Sequence, residues 1–285
     1  MVSVTSLEER FINAGEFRLN LENGTIIMGI LNVTPDSFSD GGLYTNNEDA
    51  LKKAKSLIDD GAQIIDIGGE STRPGSKMLS VEEEIKRVIP IIKHISKDIN
   101  VPISIDTYKA KVAELACESG ASIINDVWGA KYEPDIAKVA AHYNVPIVLM
   151  HNREDRNYKN FVNDVIDDLK ESISIAKNNG VKEESIILDP GIGFAKTPDQ
   201  NIILLQNIKE IKKLGYPVLL GTSRKSFIGL ILDLPVNERA EGTISTVCYG
   251  ILNNIEIMRV HDVKEVSRAA KVMDVLTGKR GFVNG

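Results

Sequence analysis

The sequence predicts a single-domain α/β protein, an eightfold (β/α)8 barrel, and three observations lead there. Eight short apolar runs alternate with longer amphipathic stretches from about residue 26 to the end. No Pro-, Gly- or Ser-rich linker divides the series. The 285 residues suit one barrel, which typically takes about 250.

The runs are Ile26–Leu31, Ile64–Ile67, Ile103–Ile105, Ser122–Ile124, Ile147–Met150, Ile186–Leu188, Val218–Leu220 and Ile255–Val260. Their brevity and β-branched content suit parallel strands covered on both faces. Between them lie helical stripes. Leu51, Ala54, Leu57 and Ile58 form one that ends at Gly61, and Val165, Ile166, Leu169, Ile173 and Ala176 form another that ends at Gly180. Ser80 and Glu83 have capping-box spacing ahead of Ile85, Val88, Ile89, Ile92 and Ile95, with Pro90 expected to kink or split that helix. Asp262 with Glu265 is expected to open the last helix, with Val266, Ala269, Ala270, Met273 and Leu276 facing inward. Residues 1–25 precede the repeat as a cap for the barrel floor, and the barrel spans 26–276. An open doubly wound sheet is the structural alternative, because it uses the same units.

Composition narrows function. Hydrophobic content of 42% and charged content of 26% describe an ordinary globular chain. The net charge of −6, from 34 basic and 40 acidic residues, disfavours nonspecific binding to nucleic acid or membranes. No apolar run approaches the roughly 18 residues of a membrane span, and the N-terminus lacks the pattern of a secretory signal. A cytoplasmic location is the expectation. Cys117 and Cys248 lie far apart in helical stretches with no metal-ligand spacing and read as buried free thiols. His94 and His142 read as structural or exposed.

Polar residues follow nearly every apolar run: Asn32 to Gly42, Gly68 to Gly75, Asp106-Thr107, Asn125-Asp126, His151-Asn152, Asp189 to Phe194, Gly221 to Ser226, and Arg259 to His261. In a (β/α)8 barrel these C-terminal strand ends share the rim that holds the active site. Asp106, Asn125 and Asp189 offer acceptors that match adjacent N–H donors of a flat heterocycle such as a 2-amino-4-oxo pterin. Each Asp alone could equally cap the next helix. Arg73, Lys225, Arg259 and His261 form a separate cationic group nearer the edge, suited to an anion. The segment Gly221 to Ser226 could add backbone N–H groups, though it lacks P-loop spacing. Asn32 could reach a Mg²⁺ ion that keeps waters and shares phosphate oxygens. Trp128 and Met150 read equally as core or as a wall for a flat ring. No Ser/His/Asp or Cys/His set suggests a covalent intermediate.

With these residues in view, the sequence resembles the dihydropteroate synthases. GILNVTPDSFSDGG, DIGGESTRPGS, SIDTYKAKVA, IINDV, ILDPGIGFAKT, GTSRKSFIG and RVHDV stand in register from about Ile26 to Leu276. His151-Asn-Arg-Glu-Asp departs from the Gly- and Pro-containing version that many members carry. The resemblance implies that a dihydropterin diphosphate condenses with 4-aminobenzoate, with Mg²⁺ as cofactor, in a cytoplasmic homodimer. It implies that Asp106, Asn125, Met150, Asp189, Phe194, Gly221, Lys225 and Arg259 hold the pterin. Asn32, Arg73, Arg259 and His261 would hold the diphosphate, with Asn32 meeting the metal. Phe38, Thr72, Arg73, Pro74, Lys225 and Ser226 would frame the aminobenzoate. Asp36, Asp106, Lys225 and Arg259 would serve the chemistry, and the loops carrying Asp36 and Thr72 would close to exclude water.

Two rivals share the barrel. A corrinoid methyltransferase that binds methyltetrahydrofolate has no need for the anion-facing cations. A non-catalytic pterin-binding paralogue should lack some of Asn32, Asp106, Lys225 and Arg259, and all four are present. Replacing Asp189 with Asn is expected to weaken pterin binding by about 1–3 kcal/mol. Calorimetry with the pterin diphosphate checks this, and unchanged affinity would remove Asp189 from the pocket.

Overall fold

Each of the eight apolar runs forms a parallel strand in the computed structural model, which describes residues 10–33, 43–70 and 78–281. Two short strands come first: β1 (Phe11–Ala14) and β2 (Phe17–Asn20) form an antiparallel hairpin. The alternating series follows as β3 (Ile26–Asn32), α1 (Leu43–Asp59), β4 (Ile64–Gly68), α2 (Val81–Ile95), β5 (Ile103–Asp106), α3 (Ala110–Glu118), β6 (Ile123–Asp126), α4 (Asp135–Tyr143), β7 (Ile147–Met150) and α5 (Phe161–Asn178). It continues with β8 (Ile186–Asp189), α6 (Pro198–Gln206), α7 (Ile208–Lys212), β9 (Leu219–Leu220), α8 (Ser226–Leu232), α9 (Ala240–Leu252), β10 (Ile257–Val260) and α10 (Val263–Leu276).

The strands lie in the order β8-β7-β6-β5-β4-β3-β10-β9, all parallel. A parallel bridge between Leu188 and Val218 joins β8 to β9, and Leu188 N donates to Pro217 O at 2.9 Å. The sheet therefore closes, and the chain is a (β/α)8 barrel rather than an open doubly wound sheet.

Period-two alternation sorts each strand into an outer and an inner face. Outward residues such as Ile65, Ile67, Ile124 and Leu149 pack with the helices in one large core. Inward residues Ile26, Met28, Ile64, Ile123, Val148, Ile187, Leu219 and Ile257 pack with Ile12, Ala14 and Leu21 around the hairpin. The hairpin and Leu21 thus close the barrel floor. Two residues beyond six of these floor positions, on the same inward face, stand Asp66, Asn125, Met150, Asp189, Gly221 and Arg259. On β5 the inward pair is Ser104 and Asp106. The apolar floor leads up into a polar mouth by strand geometry alone.

The expected helix signals are mostly present. Glu83 N donates to Ser80 Oγ at 3.2 Å and Ser80 N to Glu83 Oε2 at 3.1 Å, a complete capping box. Three expectations change. Pro90 does not split α2, which runs unbroken from Val81 to Ile95; the ring lies on the exposed side, where water can satisfy the carbonyl left without a donor. Asp262 precedes α10 but makes no side-chain cap, because its carboxylate is taken by Arg224. Leu276, the last residue of α10, faces outward and is 73% exposed. Cys117 and Cys248 are free thiols and only half-buried.

Candidate active site at the barrel mouth

Arg259 organises the mouth. It sits on β10 with its guanidinium aimed across the barrel, where Nε donates to Asp66 Oδ2 at 2.6 Å and Nη2 donates to Asp106 Oδ2 at 2.6 Å. Asn125, beside Asp106 in register, donates its amide to the Asp66 carboxylate at 3.3 and 3.4 Å. Burial opposes the Arg259 charge, but Asp66 and Asp106 outweigh it and hold the guanidinium more firmly protonated than usual. The cations are therefore not segregated at the rim as the sequence suggested, because Arg259 lies among the acceptors.

Asp106 spends only one oxygen on Arg259. Its Oδ1 is buried and has no hydrogen-bond partner among the described residues. Burial, only partly offset by Arg259 and reinforced by Asp66, pushes this carboxyl up to about 7. Asp189 is likewise raised by burial, while Gly191 N and the fields of Lys225 and Arg259 pull the other way. Its Oδ1 accepts from Gly191 N at 2.7 Å, and a Cβ on Gly221 would stand 3.8 Å from its Oδ2. Asp126 shows the alternative fate of a strand-end Asp. Its oxygens accept from Trp128 N at 2.8 Å and Ala130 N at 2.6 Å, so it shapes its own loop and faces no ligand.

An apolar wall stands beside the acceptors. Met150, Val127 and Tyr108 are buried together, with Trp128 and Phe194 packed on them. Lys225 Nζ lies 4.2 Å from the Phe194 ring centroid. A side chain at Gly193 would come within 2.9 Å of Lys225 Cδ, at a φ of 87°, so this position requires glycine. His261 and Ser223 join the ends of β10 and β9: His261 N donates to Ser223 Oγ at 3.1 Å, and the same hydroxyl lies 3.0 Å from His261 Nδ1.

The segment Gly221 to Ser226 holds its shape differently from the expected anion cradle. Arg224 N donates to Thr243 Oγ1 at 3.0 Å and Lys225 N donates to Thr222 O at 3.2 Å, so two of its amides are used internally. Arg224, at φ 56°, turns away to Asp262. Ser226 starts α8 and is exposed, as is Asn32 at the end of β3. Asp36, Phe38, Thr72, Arg73 and Pro74 lie outside the described residues.

Sequence reasoning passed over Asp66, Lys196 and His151 as site residues. Asp66 was detectable, because a carboxylate inside a buried apolar run must be paired. His151 follows β7 in the same way as the other strand-end residues but lies behind the mouth with Lys196, a pairing that no local spacing marks.

A barrel mouth that aims buried acceptors and an apolar wall at one opening, with cations beside them, defines an enzyme of the pterin-binding class. A family model described as pterin binding enzyme matches residues 28–261. The dihydropteroate synthase of Bacillus subtilis (strain 168) is 56% identical over the full length of both chains. That of Clostridium beijerinckii is 60% identical over 263 residues, 92% of this chain and 98% of the relative. The crystal structure of the Clostridium difficile enzyme in the presence of pteroic acid superposes with a TM-score of 0.87 at 50% identity, covering 90% of this chain and 97% of that one. The chain belongs to the dihydropteroate synthase family.

The raised Asp106 carboxyl has a consequence for stability. The folded state retains a proton that the unfolded chain releases, so stability falls as pH rises from the ordinary carboxylate range to about 7. Asp126, also raised to about 7 by burial, contributes its own share. Asp106→Asn is expected to make urea-unfolding stability decline less between pH 5 and pH 8. An unchanged pH slope would contradict the assignment.

Proposed function

We infer that the chain joins 7,8-dihydropterin-6-ylmethyl diphosphate to 4-aminobenzoate, giving 7,8-dihydropteroate and diphosphate for folate biosynthesis. The observation that carries the reading is the buried Asp106 Oδ1, without a partner among the described residues and set between Asn125 and Arg259 on the same rim as Asp189. A pterin supplies ring and amino N–H groups that would satisfy such carboxylates, and desolvated charge-assisted hydrogen bonds of this kind are strong. Met150 and Phe194 wall the ring, and Lys225 crosses the Phe194 face.

The chemistry follows from this placement. Departure of diphosphate leaves positive charge on the exocyclic carbon of the electron-rich pterin, and the Asp106 carboxylate favours that charge. The arylamine nitrogen then attacks the carbon, and its proton passes to solvent or the departing anion. Arg259 and His261, with Arg73, are assigned to the diphosphate. Phe38, Thr72, Pro74, Lys225 and Ser226 are assigned to the aminobenzoate. Closure of the loops bearing Asp36 and Thr72 would keep water from the pterin carbon.

Mg²⁺ bound with the substrate would neutralise charge on the leaving diphosphate. Asn32, a neutral carbonyl donor exposed at the rim, fits an ion held chiefly by phosphate oxygens and water. Among the described residues no group of three His, Cys, Asp or Glu side chains is placed to hold a metal by itself.

No helix among the described residues is long and apolar enough to cross a membrane, consistent with a cytoplasmic enzyme of small-molecule substrates. The homodimer finds support on the outer face of α8, α9 and α10. Leu230, Ile231, Leu252, Val272 and Leu276 there are 59–73% exposed, on helices that pack side by side. Such an apolar face suits a second copy of the same chain.

Mixing pterin diphosphate, 4-aminobenzoate and Mg²⁺ should release diphosphate only when the amine is present. Failure to do so would favour the corrinoid methyltransferase or a non-catalytic binder. Sedimentation should give a dimer that Leu230→Glu shifts towards monomer; a wild-type monomer at micromolar concentration would exclude this assembly.

A further inference from the structure

The turn that follows β8 leads from Asp189 to Phe194 through a tight, left-handed backbone. Gly191, Gly193 and Ala195 have φ of 67°, 87° and 46°. Glycine enters this region without steric cost, whereas Ala195 persists there only where its surroundings hold it. At Gly191 even a methyl group would fall 2.0 Å from His151 O, so the turn is pressed directly against the end of β7.

Lys196 supplies the restraint. Its ammonium is buried behind the turn with the residue 5% exposed. It donates to Gly191 O at 2.9 Å and Phe194 O at 3.0 Å, and meets His151 Nδ1 at 2.8 Å. All three ammonium hydrogens are thereby used. His151 is itself fully buried and passes the restraint outward, with Nε2 lying 2.8 Å from Asp168 Oδ2 on α5. The tautomer this requires has Nδ1 accepting from Lys196 and Nε2–H donating to Asp168. Arg153 anchors the same carboxylate at 2.5 Å. Tyr158 OH donates to Ala195 O at 2.9 Å, and Gly193 N donates to Asn201 Oδ1 at 2.6 Å. None of these restraining groups belongs to the substrate-facing set.

We propose that Lys196 is a positioning residue for the pterin pocket, whose bonds to Gly191 O, Phe194 O and His151 Nδ1 hold the tight turn that sets Phe194 beside Asp189 at the ring. The chain Asp168–His151–Lys196 makes this turn continuous with α5 and β7, so pocket shape is set from outside the pocket. The division of labour is specific. Lys196 acts chiefly on the pterin side, because of the residues assigned to the aminobenzoate only Lys225 meets this turn, at the Phe194 ring. Burial lowers the Lys196 ammonium to about 7 and the His151 imidazole to about 4; the neutral His151 is the form that can accept from Lys196.

This inference rests on the pterin reading of the mouth, and the experiment separates the two. Dihydropterin diphosphate binding is measured by calorimetry for wild type, Lys196→Met and Tyr158→Phe, alongside steady-state KM values for both substrates. Fluorescence of Trp128, the single tryptophan, packed with Phe194 on the Met150 cluster, reports pocket shape. Lys196→Met should weaken pterin binding by about tenfold or more, the scale of one lost charged hydrogen bond. Its aminobenzoate KM should stay within about twofold, and Trp128 emission should change. Tyr158→Phe, which removes only one hydroxyl, should shift pterin binding in the same direction by less. Equal pterin affinity in a folded Lys196→Met would overturn the proposal, as would a parallel rise in both KM values. If Lys196→Met does not fold, a Tyr158→Phe enzyme with lowered Tm but unchanged pterin affinity overturns it. A wild-type enzyme that binds no pterin diphosphate would remove the reading of the site as well.

Discussion

The barrel mouth depends on one partly buried guanidinium. Arg259 bridges Asp66 and Asp106 at 2.6 Å each, and Asn125 extends the chain by donating to Asp66. Taking these charges from water costs several kcal/mol per ion. The arrangement persists because each group satisfies another in a single geometry. Two carboxyls compete for one cation, and the shortfall is expressed at Asp106, whose carboxyl is pushed up to about 7 by burial. One of its oxygens is committed and the other is buried with no partner among the described residues. A polar atom so placed gains most when a ligand N–H reaches it, so the ion network that threatens stability also creates the driving force for recognition.

Strand alternation explains why these groups meet. A floor of Ile, Val, Leu and Met side chains fills the barrel interior, and two residues farther on the same face becomes polar. The barrel needs no special loop to assemble Asp66, Asn125, Asp189 and Arg259. Each rides on a strand whose position is already fixed by the apolar layer beneath it and by the helices outside. Rigid elements hold catalytic groups more closely than loops do. The groups outside the strands need added restraint: Phe194 depends on the Lys196–His151 tie and Lys225 on the turn locked by Arg239 and Thr243.

The barrel and much of its rim were legible in the sequence because their signals are periodic. Eight apolar runs followed by Asn, Asp, Gly or Arg need only one fold to converge. Asp106, Asn125, Asp189, Lys225 and Arg259 do reach a common opening. Less legible were the relations among them. A linear reading placed cations at the edge and acceptors within, whereas opposite charges seek each other once water is excluded. Asp66 hid inside Ile64–Ile67, although a charge there already implied a partner. Lys196 and His151 form contacts across 45 residues, which no local pattern encodes. Pro90 and Asp262 show local rules yielding to context. An exposed face accommodates the proline, and Asp262 finds Arg224 a stronger partner than a helix end.

The direct test of this account is a double-mutant cycle on pterin diphosphate affinity with Asp66→Asn, Arg259→Met and the pair. If Asp66 acts by orienting Arg259, the two losses should be strongly non-additive, with a coupling energy above about 1 kcal/mol. Additive losses would mean that the two residues serve the ligand independently, and the guanidinium would then not be the organising centre of the mouth.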